Sequence, residues 1–223
     1  MKRMPILLCL ACVAHAASLE AAPLRVACVG DSITYGAFIP DRENASYPAL
    51  LQTLSGGRIV VTNLGVSGHT LVKTGKLSWW NSPAFAESAA FAPDVVVIML
   101  GTCDTAEPEK LDDYEPDLNA LLDHFAGLPS SPRILVATPP PVTTIREWKL
   151  NWRLNHRIIP AIRRTCKARN IPVVDVNSAF KGRHHLIPDA LHPNAEGAAI
   201  IARTVLDALQ SLQFLQPVPS TIP

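Results

Sequence analysis

Three polar side chains in this sequence are of the types that together attack a carbonyl group. Ser32 follows an apolar run and stands directly after Gly30 and Asp31. Asp189 and His192 stand near the other end of the chain, with two residues between them. A serine hydroxyl attacks a carbonyl at neutral pH only when a base removes its proton, and an imidazole held by a carboxylate is such a base. The sequence therefore offers a nucleophile, a base and a partner for the base.

Each part of this pattern also has a purely structural interpretation. A serine at a strand-to-helix turn can cap the helix, with Gly30 permitting the turn. Asp189 and His192 can belong to a surface loop ahead of a helix that Asn194 caps. Two intervening residues nevertheless let both side chains lie on one loop before Pro193 begins the final helix. Taken together with Ser32, this loop favours the catalytic interpretation.

Alternating apolar runs and helical patterns predict the elements that must position these residues. Near-continuous apolar runs are typical of strands covered on both faces, and their alternation with helices predicts a doubly wound α/β fold with a parallel sheet. The predicted strands are Leu24–Val29, Arg58–Leu64, Asp94–Leu100, Arg133–Thr138 and Val173–Val176. The predicted helices are Tyr47–Leu54, Pro83–Ala90, Tyr114–Ala126, Asn151–Asn170 (with Pro160 as its kink or its true start) and Asn194–Leu212.

The candidate residues fall at one edge of such a sheet. Ligands of open parallel sheets bind beyond the carboxyl ends of the strands. Gly30–Thr34 follows the first predicted strand, Gly65 the second and Gly101–Asp104 the third. Segments that are far apart in the sequence are therefore expected to converge.

Four segments resemble, in order and spacing, the four sequence blocks of the SGNH/GDSL hydrolase family. The resemblance covers nearly all of the chain after its first residues. It implies a three-layer, flavodoxin-like sandwich with a five-stranded parallel sheet, and the hydrolysis of esters without a metal or cofactor. It also implies that Ser32 is the nucleophile, that His192 is first base and then acid, and that Asp189 orients it. The segments are Gly30–Thr34, Asn63–Gly65, Gly101–Asp104 and Asp189–His192.

The resemblance further implies an oxyanion hole, built from the amides of Ser32 and Gly65. The third block departs from the family pattern, because Cys103 stands where the family has an asparagine whose side chain donates to the oxyanion. A thiol is a poor donor, and the loss of one donor costs about 3–4 kcal/mol. We therefore expect a slow esterase, or one whose third donor comes from elsewhere. The alternatives are a binding protein with a relic triad, a redox-sensitive thiol and a disulfide partner.

Within the family, the chain looks most like bacterial acetyl-esterases that act on glycans, such as sialate O-acetylesterases and acetylxylan esterases. This likeness implies an acylated carbohydrate as substrate, with acetyl as the acyl group. A lysophospholipase or thioesterase is the alternative enzyme. The segments that carry the likeness are Arg42–Pro48, Gly65–Gly68, Pro139–Val142 and His192–Gly197.

Aromatic residues give weaker candidates for substrate contacts. Trp79 and Trp80 follow Gly65 in a long stretch, where their rings either stack on a sugar or pack against the core. His69 is a further candidate for the pocket lining. Trp148 and Trp152 are predicted to lie in the core.

Other polar residues suggest no metal site. His184 and His185 are adjacent, so they point to opposite sides of an extended loop, and no Cys-x-x-Cys pair occurs after residue 17. Asp104 is expected to cap a helix or to bond the serine loop. Of the cysteines after residue 17, Cys28 and Cys166 have the character of core residues, and an odd count leaves at least one thiol unpaired or paired between chains.

Composition and the two termini complete these predictions. The chain of 223 residues is 48% hydrophobic and 17% charged, with a net charge of +1, which favours one globular domain and gives no support to a nucleic-acid partner. Residues 1–17 have the pattern of a cleaved signal peptide whose apolar run is too short for a membrane anchor, so we expect a secreted or periplasmic protein. The hydrolase domain is predicted over residues 22–215 and a disordered tail over residues 216–223.

Overall fold

A five-stranded parallel sheet forms the centre of the protein, as a computed structural model describes it for residues 22–143 and 148–215. The strand order is β2-β1-β3-β4-β5, with every neighbouring pair parallel. The predicted fold class is confirmed. The signal segment and the tail lie outside the described residues. The strands are β1 Leu24–Gly30, β2 Ile59–Gly65, β3 Val95–Met99, β4 Arg133–Ala137 and β5 Val173–Val174.

Helices cover both faces of the sheet, because side chains of a strand point alternately to its two sides. In β1, Val26 and Cys28 belong to one apolar core and Ala27 and Val29 to the other. The helices are α1 Ser32–Tyr35, α2 Arg42–Ala45, α3 Tyr47–Leu54, α4 Pro83–Ala90, α5 Tyr114–Ala126, α6 Trp148–Arg153, α7 Ile159–Ala168, α8 Val176–Ala179 and α9 Ala195–Ser211. Helices α3 and α9 pack on one face, and α4, α5 and α7 on the other.

Three predicted helices (α3, α4 and α5) begin and end where the sequence pattern placed them, whereas two other predictions need correction. The fifth strand is shorter than predicted, because the Asp175 side chain accepts from Ser178 N–H and starts α8. The long predicted helix is divided by a π-helical turn, Leu154–Ile158. Pro160 lies just beyond it and has no amide to donate backwards, so it marks the start of a new helix, α7.

The end of β2 presses directly on the helix that carries Ser32. A Cβ atom at Gly65 would lie only 2.1 Å from the backbone nitrogen of Tyr35. Gly65 pairs with Gly30 at the carboxyl ends of β2 and β1. The absence of a side chain at Gly65 thus lets α1 sit against the sheet edge, which fixes the position of Ser32. None of the helices in the described ranges is long and apolar enough to cross a membrane.

Candidate active site

Ser32 is the first residue of α1 and lies at the carboxyl edge of the sheet. The preceding residue, Asp31, is the N-cap, and its Oδ1 accepts from Ile33 N–H at 2.9 Å. The interpretation of Ser32 as a capping serine is therefore wrong, because Asp31 already holds that position. The Ser32 amide forms no hydrogen bond within residues 22–143 and 148–215, so this donor is free at the site.

Two hydrogen bonds link Ser32 to the loop before α9. Ser32 Oγ lies 2.9 Å from His192 Nε2, and His192 Nδ1 lies 2.7 Å from Asp189 Oδ2. An ionised carboxylate only accepts, so Nδ1 carries the imidazole proton and donates to Asp189. In the neutral imidazole Nε2 then accepts from the Ser32 hydroxyl. This arrangement can draw a proton from the serine.

The loop holds Asp189 beneath His192 by a tight turn. Ala190 adopts a left-handed conformation with φ +73°, which a residue with a side chain takes only at a cost. The turn lets Asp189 Oδ1 accept from His192 N–H at 2.6 Å and from Leu191 N–H at 3.0 Å. Partial burial raises the pKa of Asp189, but these hydrogen bonds and the imidazole outweigh it and leave that pKa below its usual value. Asp189 therefore stays charged at neutral pH.

Gly65 does not present its amide to the site, and the prediction that it is an oxyanion donor is wrong. Val66 N–H bonds to Gly30 O on the β1 side of the strand. Since successive amides of a strand point to opposite sides, Gly65 N–H points to the outer edge of the sheet. There it donates to Asn63 Oδ1 at 3.0 Å.

The amide that does point at the third block belongs to Gly68. Its amide lies near the thiol of Cys103 and acts to lower the pKa of that thiol, and its φ of +79° is a conformation suited to glycine. Both residues line the same cavity. Sequence reasoning did not single out Gly68 as a candidate donor, although a second glycine three positions after Gly65 was the available signal.

Cys103 is a neutral thiol in this setting. Burial, followed by the negative charges of Asp31 and Asp104, raises its pKa well above the usual range. A thiol that keeps its proton is neither a strong nucleophile nor easily oxidised, which disfavours the redox alternative. Cys28, Cys103 and Cys166 are all unpaired, and Cys28 and Cys166 are buried as predicted.

A cavity of about 270 Å³ opens beside Cys103. Most of its lining is apolar, and two charged residues, Lys76 and Glu107, lie among the lining residues. Its wall includes Leu191, which precedes His192 in the triad loop. The lining residues are Gly68, Thr70, Lys76, Leu77, Thr102, Cys103, Ala106, Glu107, Leu150 and Leu191.

The two tryptophans predicted to contact substrate are more buried than the two predicted to lie in the core. Trp79 has no exposed surface and donates through Nε1 to Leu64 O at 3.0 Å, so it cannot stack on a sugar. Trp80 is half-buried, donates to Leu71 O and has Lys73 over its ring. The prediction of Trp79 as a substrate contact is therefore wrong, whereas that of Trp80 stays a prediction.

Trp148 and Trp152, in contrast, are 57% and 48% exposed on α6, so their prediction as core residues is wrong. The two positions are four residues apart and share a helix face that points outwards. His69 is half-buried, with Nδ1 2.9 Å from Ser67 O, and its role as a substrate contact stays a prediction.

Asp104 connects two loops of the site; the prediction that it caps a helix or bonds the serine loop is wrong. Its two carboxylate oxygens accept from the amides of Leu71 and Val72 at 3.0 and 2.9 Å. These bonds tie the loop after β2 to the loop after β3. Burial raises the pKa of Asp104 to about 6, against the lowering effect of the two amides. No group of three His, Cys, Asp or Glu residues in the described ranges could hold a metal ion.

Asp31 is fully buried beneath the nucleophile. Burial raises its pKa from 3.8 to about 7, with the bond from Ile33 N–H opposing the rise and the charge of Asp104 adding to it. The nearby hydroxyl of Thr102 acts to lower the pKa of Asp31. Asp31 Oδ2 nevertheless has no partner at hydrogen-bond distance among the described residues. The helix that carries Ser32 is therefore capped by a carboxyl that titrates near neutrality.

Comparison with known proteins places this geometry in a family context. The model of the GDSL-like lipase/acylhydrolase family matches residues 28–200. A curated acetylxylan esterase from Xylanibacter ruminicola is 31% identical, over 84% of this chain and 43% of that protein. The chain therefore spans less than half the length of this relative.

Solved structures share the fold at lower identity. Axe2, an acetylxylan esterase from Geobacillus stearothermophilus, superposes with a TM-score of 0.66 at 23% identity, over 84% of this chain and 95% of that one. An aryl esterase from Mycobacterium smegmatis gives a TM-score of 0.65 at 20% identity, over 85% and 99%. These similarities extend over nearly the whole described part of the chain.

Replacing Asp31 by asparagine should change how stability depends on pH. The folded protein holds the Asp31 proton up to about pH 7, whereas the unfolded chain loses it near pH 4. Between about pH 4 and pH 7 the folded state therefore binds more protons than the unfolded chain. Because of this difference, the Asp31 carboxyl makes the free energy of unfolding fall as the pH rises through this range. Asparagine caps a helix as well as aspartate does and does not titrate.

Urea unfolding at pH 4.5 and pH 8 measures this effect. Relative to the wild type, the free energy of unfolding of Asp31→Asn should rise by about 2–4 kcal/mol from pH 4.5 to pH 8. Asp31→Ala should show the same gain with a constant loss of about 1 kcal/mol, because the cap is absent. A difference between Asp31→Asn and wild type that does not change with pH would contradict the prediction.

Proposed function

The chain belongs to the GDSL-like lipase/acylhydrolase family, and from that premise we propose that it is a serine ester hydrolase that removes acetyl groups from carbohydrate. The observation that carries this proposal is the continuous pair of hydrogen bonds from Ser32 through His192 to Asp189. Each bond has the length that proton transfer requires. An intact, correctly ordered triad also argues against a carbohydrate-binding protein with a relic site.

The proposed reaction begins with the attack of Ser32 Oγ on the ester carbonyl carbon. His192 Nε2 takes the hydroxyl proton, and the Asp189 carboxylate stabilises the imidazolium that forms. The new oxyanion is met by the amides of Ser32 and Gly68, with the thiol of Cys103 as a weak third donor. The intermediate collapses when His192 returns its proton to the alcohol oxygen, leaving acetyl on Ser32.

Water completes the proposed cycle. His192 accepts a proton from the water as the water oxygen attacks the acetyl carbonyl, and the second intermediate collapses to acetate and free Ser32. The proton on Nε2 passes to the departing serine oxygen. The same hydrogen-bond donors stabilise the oxyanion of each step, so their strength affects the rates of both steps.

The proposed substrate class rests on the family and on the name of a curated relative. The curated relative carries the name acetylxylan esterase, which supports an acetylated carbohydrate for this chain as well. From the sequence pattern of residues 1–17 we further propose a cleaved signal peptide and a secreted or periplasmic protein. We propose neither a nucleic-acid partner nor a membrane anchor.

The cavity beside Cys103 favours one second candidate. At about 270 Å³ it is larger than an acetyl group requires, and its wall is mostly apolar. An acyl chain of several carbons, as in a lysophospholipase or thioesterase substrate, would bury its methylenes there.

Comparison of p-nitrophenyl acetate, octanoate and palmitate separates the two candidates. For an acetyl-esterase, kcat/KM should be highest with acetate. Higher values with octanoate or palmitate would overturn the acetyl assignment. Ala106→Phe, which fills part of the cavity, should then depress octanoate turnover more than acetate turnover.

Replacement of the nucleophile tests the proposed mechanism. Ser32→Ala should lower kcat for p-nitrophenyl acetate by at least about a thousandfold, because no covalent intermediate can form. A fluorophosphonate probe should label the wild type and leave Ser32→Ala unlabelled. Ser211→Ala, at the exposed end of α9, is the matched control and should keep both properties. Equal turnover in wild type and Ser32→Ala would rule out this site as the source of the activity.

Cys103→Asn tests whether the cysteine limits the rate. The asparagine amide is a strong oxyanion donor, so kcat for p-nitrophenyl acetate should rise by up to about a hundredfold. Cys103→Ala supplies no donor and should give no such rise. A kcat for Cys103→Asn at or below that of the wild type would show that the thiol is no catalytic deficit.

A further inference from the structure

Phe38 combines two unfavourable features at a single position. The residue is 81% exposed, the highest exposure among the large hydrophobic residues of the described ranges. Its φ of +62° lies in the left-handed region, which a residue with a side chain occupies only at a cost. Backbone strain of this kind clusters at active sites and ligand clamps, so its coincidence with an exposed aromatic ring singles out this position for a closer look.

The strained turn is built onto the nucleophile's own helix. Gly36 and Ala37 both donate from their amides to Ser32 O, at 3.0 and 2.9 Å. Ile39, the residue after Phe38, is buried in the core and anchors the far end of the turn. Phe38 is therefore held at a fixed distance from Ser32 and projects from a rigid loop.

The Phe38 ring lies against the imidazole of the triad. The centroids of the Phe38 and His192 rings are 4.9 Å apart, and the planes meet at 61° in an edge-on contact. The side chain of His192 is itself only 13% exposed. One ring thus touches the base while keeping most of its surface open to solvent.

We infer that Phe38 forms a binding subsite for the sugar ring of the alcohol half of the ester. This inference rests on the proposed function. His192 Nε2 must give its proton to the departing alcohol oxygen, so that oxygen and the ring that bears it lie beside the imidazole. Phe38 is the aromatic residue in contact with that imidazole. The apolar C–H face of a sugar packs on such a ring and removes its surface from water.

The acyl half is directed elsewhere by the same geometry. The carbonyl oxygen must face the amides of Ser32 and Gly68 and the thiol of Cys103. Gly68 and Cys103 also line the cavity described above, which offers space for the acyl group. Phe38 thus recognises the alcohol and leaves the selection of the acyl group to the other side of the site.

Other exposed aromatic rings lack this relation to the triad. Trp152 stacks on His156, with ring centroids 4.8 Å apart and planes at 12°, so one of its faces is covered. Neither ring contacts Ser32, Asp189 or His192 among the contacts of the described residues. Trp152 therefore provides a matched control for the loss of an exposed aromatic side chain.

The test measures selectivity with two acetyl esters of different alcohols. One is methyl 2,3,4-tri-O-acetyl-β-D-xylopyranoside, which carries three acetyl groups, and the other is ethyl acetate. Phe38→Ala should lower the ratio of kcat/KM for the sugar ester to that for ethyl acetate by about tenfold, mainly through a higher KM for the sugar ester. Phe38→Tyr keeps the ring and should keep the ratio. Trp152→Ala should also keep it.

Phe38→Gly separates binding from stability. Glycine adopts φ +62° without strain, so this variant should unfold at a higher urea concentration than Phe38→Ala while losing the same selectivity. Equal losses on both esters would assign Phe38 to support of His192 and overturn the inference, as would an unchanged ratio in Phe38→Ala or an equal fall in Trp152→Ala. If the wild type hydrolyses ethyl acetate but Phe38 does not affect the ratio, only this inference fails. If the wild type hydrolyses neither ester, the proposed function fails first.

Discussion

The hydrogen bond between Ser32 Oγ and His192 Nε2 joins residues 160 positions apart, and the site depends on it. One end is fixed by α1, which Gly65 allows to sit against the end of β2. The other end is fixed by the Asp189 turn, where a strained Ala190 brings carboxylate and imidazole together. The parallel sheet places both ends at its carboxyl edge, so a bond 2.9 Å long can form between the first strand's loop and the last helix's loop.

Two buried acids influence the groups near this bond. Asp31 caps the nucleophile's helix, Asp104 ties two loops together, and burial raises the pKa of each towards neutrality. Their charges add to burial in keeping Cys103 protonated. The position that could have held a reactive thiolate is thereby kept as a neutral, weakly donating group. An oxyanion at this site would rely chiefly on backbone amides.

Two loops of the site contain residues in strained backbone conformations. Phe38 and Ala190 both have positive φ, and both lie next to members of the proposed triad in sequence or in space. Strain of this kind survives only when surrounding bonds over-determine the loop. In the turn before Phe38, two successive amides donate to Ser32 O. Ala190 donates to Ile187 O and accepts from Thr143 N–H. Rigid, strained loops on a regular sheet can hold reacting groups at fixed distances.

The sequence by itself determined the layers, the bounds of three helices, the site edge and the candidates Ser32, Asp189 and His192, because periodicity and chain order report burial and strand direction directly. It did not decide which glycine amide faces the thiol, since Gly65 and Gly68 differ only in the side of the backbone that each presents. It did not separate buried Trp79 from exposed Trp152, because the same ring suits a core or a surface. No sequence pattern indicated a functional role for Phe38. These features depend on backbone direction and on contacts between distant segments, which exist only once the sheet has assembled.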